Sequence, residues 1–420
     1  MRMKLNKSSQ LLLVSAISLL VAGLITACGT LTTDFVYVTS AKAAGSDNYG
    51  EIDVFEINAV SGFMRQIPTS PFLSGGRNPV AEAVSSDFQN LYVVNQDDNT
   101  IVQFKIGPDG KLYAQNTVNT PGIYPLAVAV SGSNLFVLDT YQPLPTCSNA
   151  EPCSGSVGVF PLQAASGSGT SAVVAGTPGT PLVNASNGAD YWPLALPSPN
   201  AAHVILPTSI NVVPSGSFAY VTAYDTSVTP HVGYIFGFSV GSTGMLSPLN
   251  GGVPFAAGVQ PSAITSDSSS SYVYVADATS GKVLSYTVSS ATATAGLLSQ
   301  LGSSIAAGNQ PSAIVADSKY PYLYAANAQD GTVSAYSIGS SGALTSLGTY
   351  STGIQPVAIG IDPSTYHFLF TVNYLGNGAS GSISDFEIDT TSGSLVHSQH
   401  SPYATNALPT AVAAVPHKTS

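Results

Sequence analysis

Charge is the scarcest commodity in this chain. Only 8% of its 420 residues are Asp, Glu, Lys or Arg, and 11 basic residues face 22 acidic ones. That balance excludes a nucleic-acid partner, because binding to phosphates needs a basic stripe and the sequence has none. Arginine is limited to Arg2, Arg65 and Arg77, tryptophan to Trp192 and cysteine to three residues. Three cysteines cannot supply a dense disulfide framework. What fills the sequence instead is 44% hydrophobic residues, 40 glycines and 28 prolines. With abundant Ser and Thr, this composition suits a β-rich extracytoplasmic protein better than a disordered one. The length admits two ordinary domains or one large repeat array with a continuous core.

The amino terminus has an address of its own. Arg2, Lys4 and Lys7 precede the apolar run LLLVSAISLLVAGL and then ITAC, Ile25 to Cys28. Residues 1–27 are expected to be a signal peptide, and ITAC resembles the bacterial lipobox, in which the cysteine is lipidated and becomes the first mature residue. The competing reading is an ordinary signal peptide cut after Ala43, which would destroy the FVYVT strand at Phe35 to Thr39. Lipidation at Cys28 implies a tether to the bacterial envelope, on the periplasmic or the surface side of the outer membrane. Removing residues 1–27 takes three of the 11 basic residues and none of the 22 acidic ones, leaving 8 − 22 = −14. Cys147 and Cys153, in CSNAEPC, are then expected to form a local disulfide in an oxidising compartment. A zinc site is the poorer fit, since zinc wants four ligands and no histidine is near in sequence.

The body of the chain repeats itself seven times. GVQPSAITSDSSSSYVYVAD (Gly258 to Asp277) and GNQPSAIVADSKYPYLYAAN (Gly308 to Asn327) are the clearest copies. A proline-led apolar stretch recurs as NPVAEAV at 78, YPLAVAV at 124, LPTSINV at 206, QPVAIGI at 355 and LPTAVAA at 408. An aromatic or β-branched segment follows in the manner of LYVVNQ at 91 or FLFTVN at 368. A third signature, such as TIVQF, KVLSY or SISDF, comes next, and a Gly-led fourth in most units, for example GKL at 110 and GAL at 342. Four short antiparallel strands in units of roughly 45 to 55 residues predict β-propeller blades. The fold class is therefore all-β, a seven-bladed β-propeller with four-stranded blades. Proline at the start of the innermost strand sacrifices no ladder hydrogen bond.

The two ends are out of phase with the blades. The chain enters at a second strand, FVYVT, and leaves on a proline-led strand, LPTAVAAV. The C-terminal strand is thus expected to join blade one and close the ring, which removes an open sheet edge. The organisation predicted is a signal peptide over 1–27, a short linker over 28–33, a propeller over 34–416 and a tail over 417–420. Blade three carries an insertion at about 141–205, expected to form elaborated loops over one face of the disc.

QPSAI-type inner strands, YVxN-type second strands and GxVxxY third strands together resemble the bacterial lactonase-family propellers. That family includes the propeller-type 6-phosphogluconolactonase and a muconate-cyclising enzyme, and it is close to the YVTN-repeat propellers of cell surfaces. YVTS at Tyr37 and YVTA at Tyr220 come near the latter motif. The resemblance covers essentially all of residues 34–416. It implies the propeller fold and lactone hydrolysis, with histidine, arginine and glutamate placed after the blade prolines and at the ends of second strands. In this sequence those places hold Leu126, Thr208, Ser262 and Ser312, then Asp277 and Asn327. An anionic lactone needs a cation to hold it and a base to activate water, and neither stands where the family keeps it. The expected role is therefore a noncatalytic binding or scaffold module, with lactone hydrolysis as the alternative.

Arg77 and Glu82 flank Pro79 and are candidates for a small site at the channel; the bland reading is a loop arginine and a solvated carboxylate. Tyr124 and Trp192, with Tyr141, Tyr191 and Tyr224, are candidates for a carbohydrate or peptide groove. The six histidines show no paired spacing of the kind metal ligation or a triad uses. QDDN at Gln96 and SDNYGE at Ser46 contain no twelve-residue calcium loop. No metal or cofactor is expected. The partners expected are the membrane through Cys28 and a carbohydrate, peptide or envelope protein, for a monomer.

Overall fold

Seven antiparallel sheets stand around a central axis. A computed structural model describes residues 32–42, 49–167, 173–376 and 380–417. The signal segment, Cys28 and the 418–420 tail lie outside the described residues. Blade five shows the plan: inner strand Pro261–Ser266, second strand Tyr272–Asp277, third strand Lys282–Val288, and an outer edge made by Leu298–Gln300 and Ile305–Ala306. Closure is as expected. Leu408–Pro416 pairs with Thr32–Ala41 from Asp34↔Pro416 to Ala41↔Leu408 and becomes the inner strand of blade one.

Second strands are rich in aromatic and β-branched residues because both of their faces are covered. Every residue of Asn90–Asn95 is buried, and so is every residue of Tyr322–Asn327. Their apolar side chains pack between neighbouring blades. One cluster unites Tyr37 and Val54 of blade one with Val93 and Phe104 of blade two and Val415 of the closing strand. Fully burying one such side chain is worth about 1.5–3 kcal/mol, so the stability of the ring resides in its junctions.

A hydroxyl latch repeats at five junctions. Second-strand tyrosines donate to a glycine carbonyl in the next blade: Tyr37 to Gly110, Tyr92 to Gly176, Tyr220 to Gly296, Tyr274 to Gly342 and Tyr324 to Gly393, all at 2.6–3.1 Å. Glycine is needed at these turns. At Gly342 φ is +78° and a Cβ would lie 2.2 Å from the Tyr272 ring. Blades three and seven have Phe136 and Phe370 in place of the tyrosine and use an outer aromatic instead. Trp192 Nε1 donates to the Leu246 carbonyl at 2.9 Å, and the Met64 amide donates to the Tyr403 hydroxyl at 3.1 Å.

The ring has two faces. The upper face carries the loops leading into inner strands and the turns between second and third strands; the lower face carries the other turns and the Thr32 end. The blade-three insertion divides between them, which corrects the one-face expectation. The loop with Cys147 and Cys153, joined by a disulfide with Cα atoms 5.4 Å apart, lies on the upper side. Residues 173–182 belong to the excursion between the third and fourth strands of blade three, and around Gly176 they pack low against blade two. There Gln103 Nε2 donates to the Ala175 carbonyl, and Tyr92 reaches Gly176.

Candidate functional site

Each inner strand has its proline at or within two residues of its start and then breaks register. The residue after the proline is bulged in all seven blades, between Pro79 and Ala81 in blade two and between Pro261 and Ala263 in blade five, for example. A bulge re-aims one side chain, which is why propellers can place functional groups there. In this chain the re-aimed groups hold the ring together. Ser262 Oγ donates to the Pro311 carbonyl at 2.5 Å, Ser312 Oγ to Pro356 at 2.6 Å and Thr410 Oγ1 to Pro79 at 2.8 Å, each in the following blade. Thr208 turns instead to Thr222 of its own blade. Val80, Leu126 and Val357 complete the set with apolar side chains.

The ends of second strands are also structural. Asp139 accepts from the Gly122 amide at 3.0 Å, Asp277 from the Val259 and Gln260 amides at 2.9 and 3.0 Å, and Asn327 from the Gly308 amide at 3.0 Å. These caps fix the loops entering the inner strands of blades three, five and six. Just before the proline, Asn78, Tyr124, Gln310 and Gln355 hold left-handed backbone with φ of 50–57°. Tyr124 is held there from both sides: its amide donates to Asn99 Oδ1 and its carbonyl accepts from Thr140 Oγ1, both at 2.6 Å. Such conformations persist only where their surroundings over-determine them.

The structure does not bring Arg77 and Glu82 together. The Arg77 guanidinium binds Asp98 Oδ1 through Nη2 at 2.5 Å and Nε at 2.7 Å, on the upper face. Glu82 turns into the wall between blades one and two, where Thr39 Oγ1 donates to its Oε2 at 2.5 Å. Its Oε1 is buried with no hydrogen-bond partner, and burial pushes the carboxyl up to about 8. Trp192 is a core residue, 2% exposed among Leu138, Val157 and Phe236, and so cannot line a groove. Tyr124 remains at the channel mouth, half-buried and edge-on to Tyr141 at 6.1 Å.

Sequence spacing missed a cluster on the upper face of blade four. His203 Nδ1 lies 2.6 Å from Asp225 Oδ2, and Asp225 is 2% exposed. The other Asp225 oxygen accepts the Ser227 amide at 2.8 Å. His231 Nδ1 lies 3.1 Å from the Asp225 carbonyl, and its ring sits 5.2 Å from that of Tyr224. In both imidazoles Nδ1 is engaged by an acceptor, so that in the neutral ring Nε2 is left as the acceptor or base. Ser154 Oγ donates to the His203 carbonyl, tying the disulfide loop to this patch. The separation of 22 residues between His203 and Asp225 spans the inner strand, a turn and the second strand, so no local motif announces the pair. Three other histidines pack on rings: His417 on Phe35, His400 on Phe63 and His397 on Phe386. Among the described residues no three His, Cys, Asp or Glu side chains converge as a metal site.

Ring closure, bulged prolines and blade latches define the class: this is a seven-bladed β-propeller. Residues 285–417, about a third of the chain, match the family model described as Lactonase, 7-bladed beta-propeller. The solved structure of a putative 6-phosphogluconolactonase from Bacteroides fragilis is similar, at 19% identity over 91% of this chain and 98% of that one, with a TM-score of 0.67. So is that of a periplasmic gluconolactonase from Pseudomonas aeruginosa, at 18% identity over 91% and 99%, with a TM-score of 0.64. At these identities the likeness concerns the fold. No curated protein matches the chain.

Proposed function

We propose that the protein is a noncatalytic binding module of the bacterial envelope, lipid-anchored at Cys28, which takes a neutral, hydroxyl-rich ligand such as a carbohydrate on its upper face. The observation that carries this reading is the use of the bulge hydroxyls. Ser262, Ser312 and Thr410 spend their donors on the next blade, where a lactone hydrolase of this family would aim working side chains. Arg77, the one mature arginine near the mouth, is neutralised by Asp98, which disfavours an anionic ligand. Tyr124, Tyr224 and His231 offer ring faces and polar tips suited to hydroxyl groups.

Lactone hydrolysis is the second reading, and one observation favours it. His203 held by Asp225 is the arrangement of a general base with its orienting carboxylate. The test of the main reading is a glycan array probed with mature protein and with Tyr224→Ala. Retention of a glycan class that the variant loses supports the upper-face site. Absence of retention, or identical retention by both proteins, overturns it.

A further inference from the structure

We propose that the lower face around blade one, from its border with blade seven to the cavity at its junction with blade two, is a docking surface for the bilayer that holds the anchor. The inference rests on Cys28 being lipidated. Four residue steps join Cys28 to Thr32, and an extended chain covers at most about 3.3–3.6 Å per residue, or roughly 14 Å. A lipidated Cys28 therefore keeps Thr32 within about that distance of the leaflet. Thr32 opens the second strand of blade one opposite Asn58, on the lower face.

The surface around Thr32 suits that position. Val60 and Phe63, in the turn of blade one that abuts blade seven, are 75% and 39% exposed. Three residues along the strand from Thr32, Phe35 lines a cavity of about 550 Å³ with Phe88, Lys105, Pro108, Tyr113 and Pro416. Tyr113 is 51% exposed at its rim. Tyrosine and lysine have apolar bodies and polar tips and settle at the level of lipid headgroups. The local charge does not oppose contact: Arg65 pairs with Glu56 and Lys111 with Asp109, and Lys105 in the cavity wall adds a positive charge. Docking here turns the His203 and Tyr224 patch away from the membrane, toward soluble or wall-bound ligands.

The full lipidated chain in phosphatidylcholine vesicles with brominated acyl chains tests this. Tryptophan is placed on the lower face in Tyr113→Trp, or in Phe63→Trp as a second reporter, and on the upper face in Gln329→Trp. Buried Trp192 is a constant background. Bromolipid quenching is expected to be several-fold greater for the lower-face reporters. Equal quenching, or stronger quenching at residue 329, overturns the docking surface while leaving the anchor intact, provided mass spectrometry finds acyl chains on Cys28. An unacylated Cys28, or a Cys28→Ala protein that stays in the membrane fraction, overturns the anchor and the proposal together.

Discussion

Blade five and blade three solve the same packing problem with different residues. Blade five is close to the repeat: its Tyr274 hydroxyl reaches Gly342 in blade six, and its Ser262 hydroxyl reaches Pro311. Blade three has Phe136 in place of the tyrosine and Leu126 in place of the serine, and its outer strand is reduced to Trp192–Pro193. Yet its junctions are closed. Gly176, deep in the insertion, receives the Tyr92 latch from blade two, and Trp192 reaches Leu246 in blade four. What the repeat preserves is therefore a donor and an acceptor at each junction, and the residue supplying them is free to move. The elaborated blade concentrates in one large side chain what the regular blade distributes over several small contacts.

The largest test of that comparison removes the strand both kinds of blade depend on. A chain ending before Leu408 loses the inner strand of blade one and exposes the edge of Thr32–Ala41. Its cooperative thermal transition is expected to disappear, a loss comparable with a typical total stability of about 5–15 kcal/mol. An unchanged melting temperature would contradict ring closure. Next in size, Trp192→Ala is expected to cost about 3–5 kcal/mol by denaturant titration. Tyr274→Phe, which deletes one latch hydroxyl and keeps the ring, is expected to cost about 1 kcal/mol. Equal effects would erase the distinction between concentrated and distributed junctions.

The junction of blades seven and one adds a dependence on pH. Asp34 is fully buried beside Asp362 and accepts from Ser364; burial, with the Asp362 carboxylate adding to it, pushes its carboxyl up to about 8. Its ordinary value, which it regains on unfolding, is near 3.8. A folded-state value above the unfolded one means stability is fully present below about pH 4 and is lost as pH rises through 8. The melting temperature is thus expected to fall from pH 5 to pH 8. Asp34→Asn, which cannot ionise, should flatten that fall, and an unaltered slope would remove Asp34 from the account.

The fold was legible in the sequence because blade packing is periodic. Proline marks each inner strand, the asparagine or aspartate of the YVxN pattern caps the lead-in loop in blades three, five and six, and the out-of-phase ends announce the closing strand. The insertion was legible as an insertion but its course was not, since nothing local says that Gly176 substitutes for a turn glycine of the repeat. The site was less legible still. Arg77 and Glu82 are five residues apart, but a bulge lies between them, and one meets solvent while the other meets the wall. Trp192 was conspicuous as the only tryptophan, and its rarity reflects a packing role. His203 and Asp225 meet only once the inner and second strands of blade four pair, across two strands and a turn.

The central claim is that the bulge positions, where the resemblance to lactonase-family propellers would place catalytic groups, are spent here on holding the ring. Acid release from glucono-1,5-lactone, followed with a pH indicator in the presence of mature protein, tests it most directly. The account predicts the rate of protein-free buffer. Saturable turnover above that rate, abolished in His203→Ala, would contradict it and make the His203–Asp225 pair the working centre of a hydrolase.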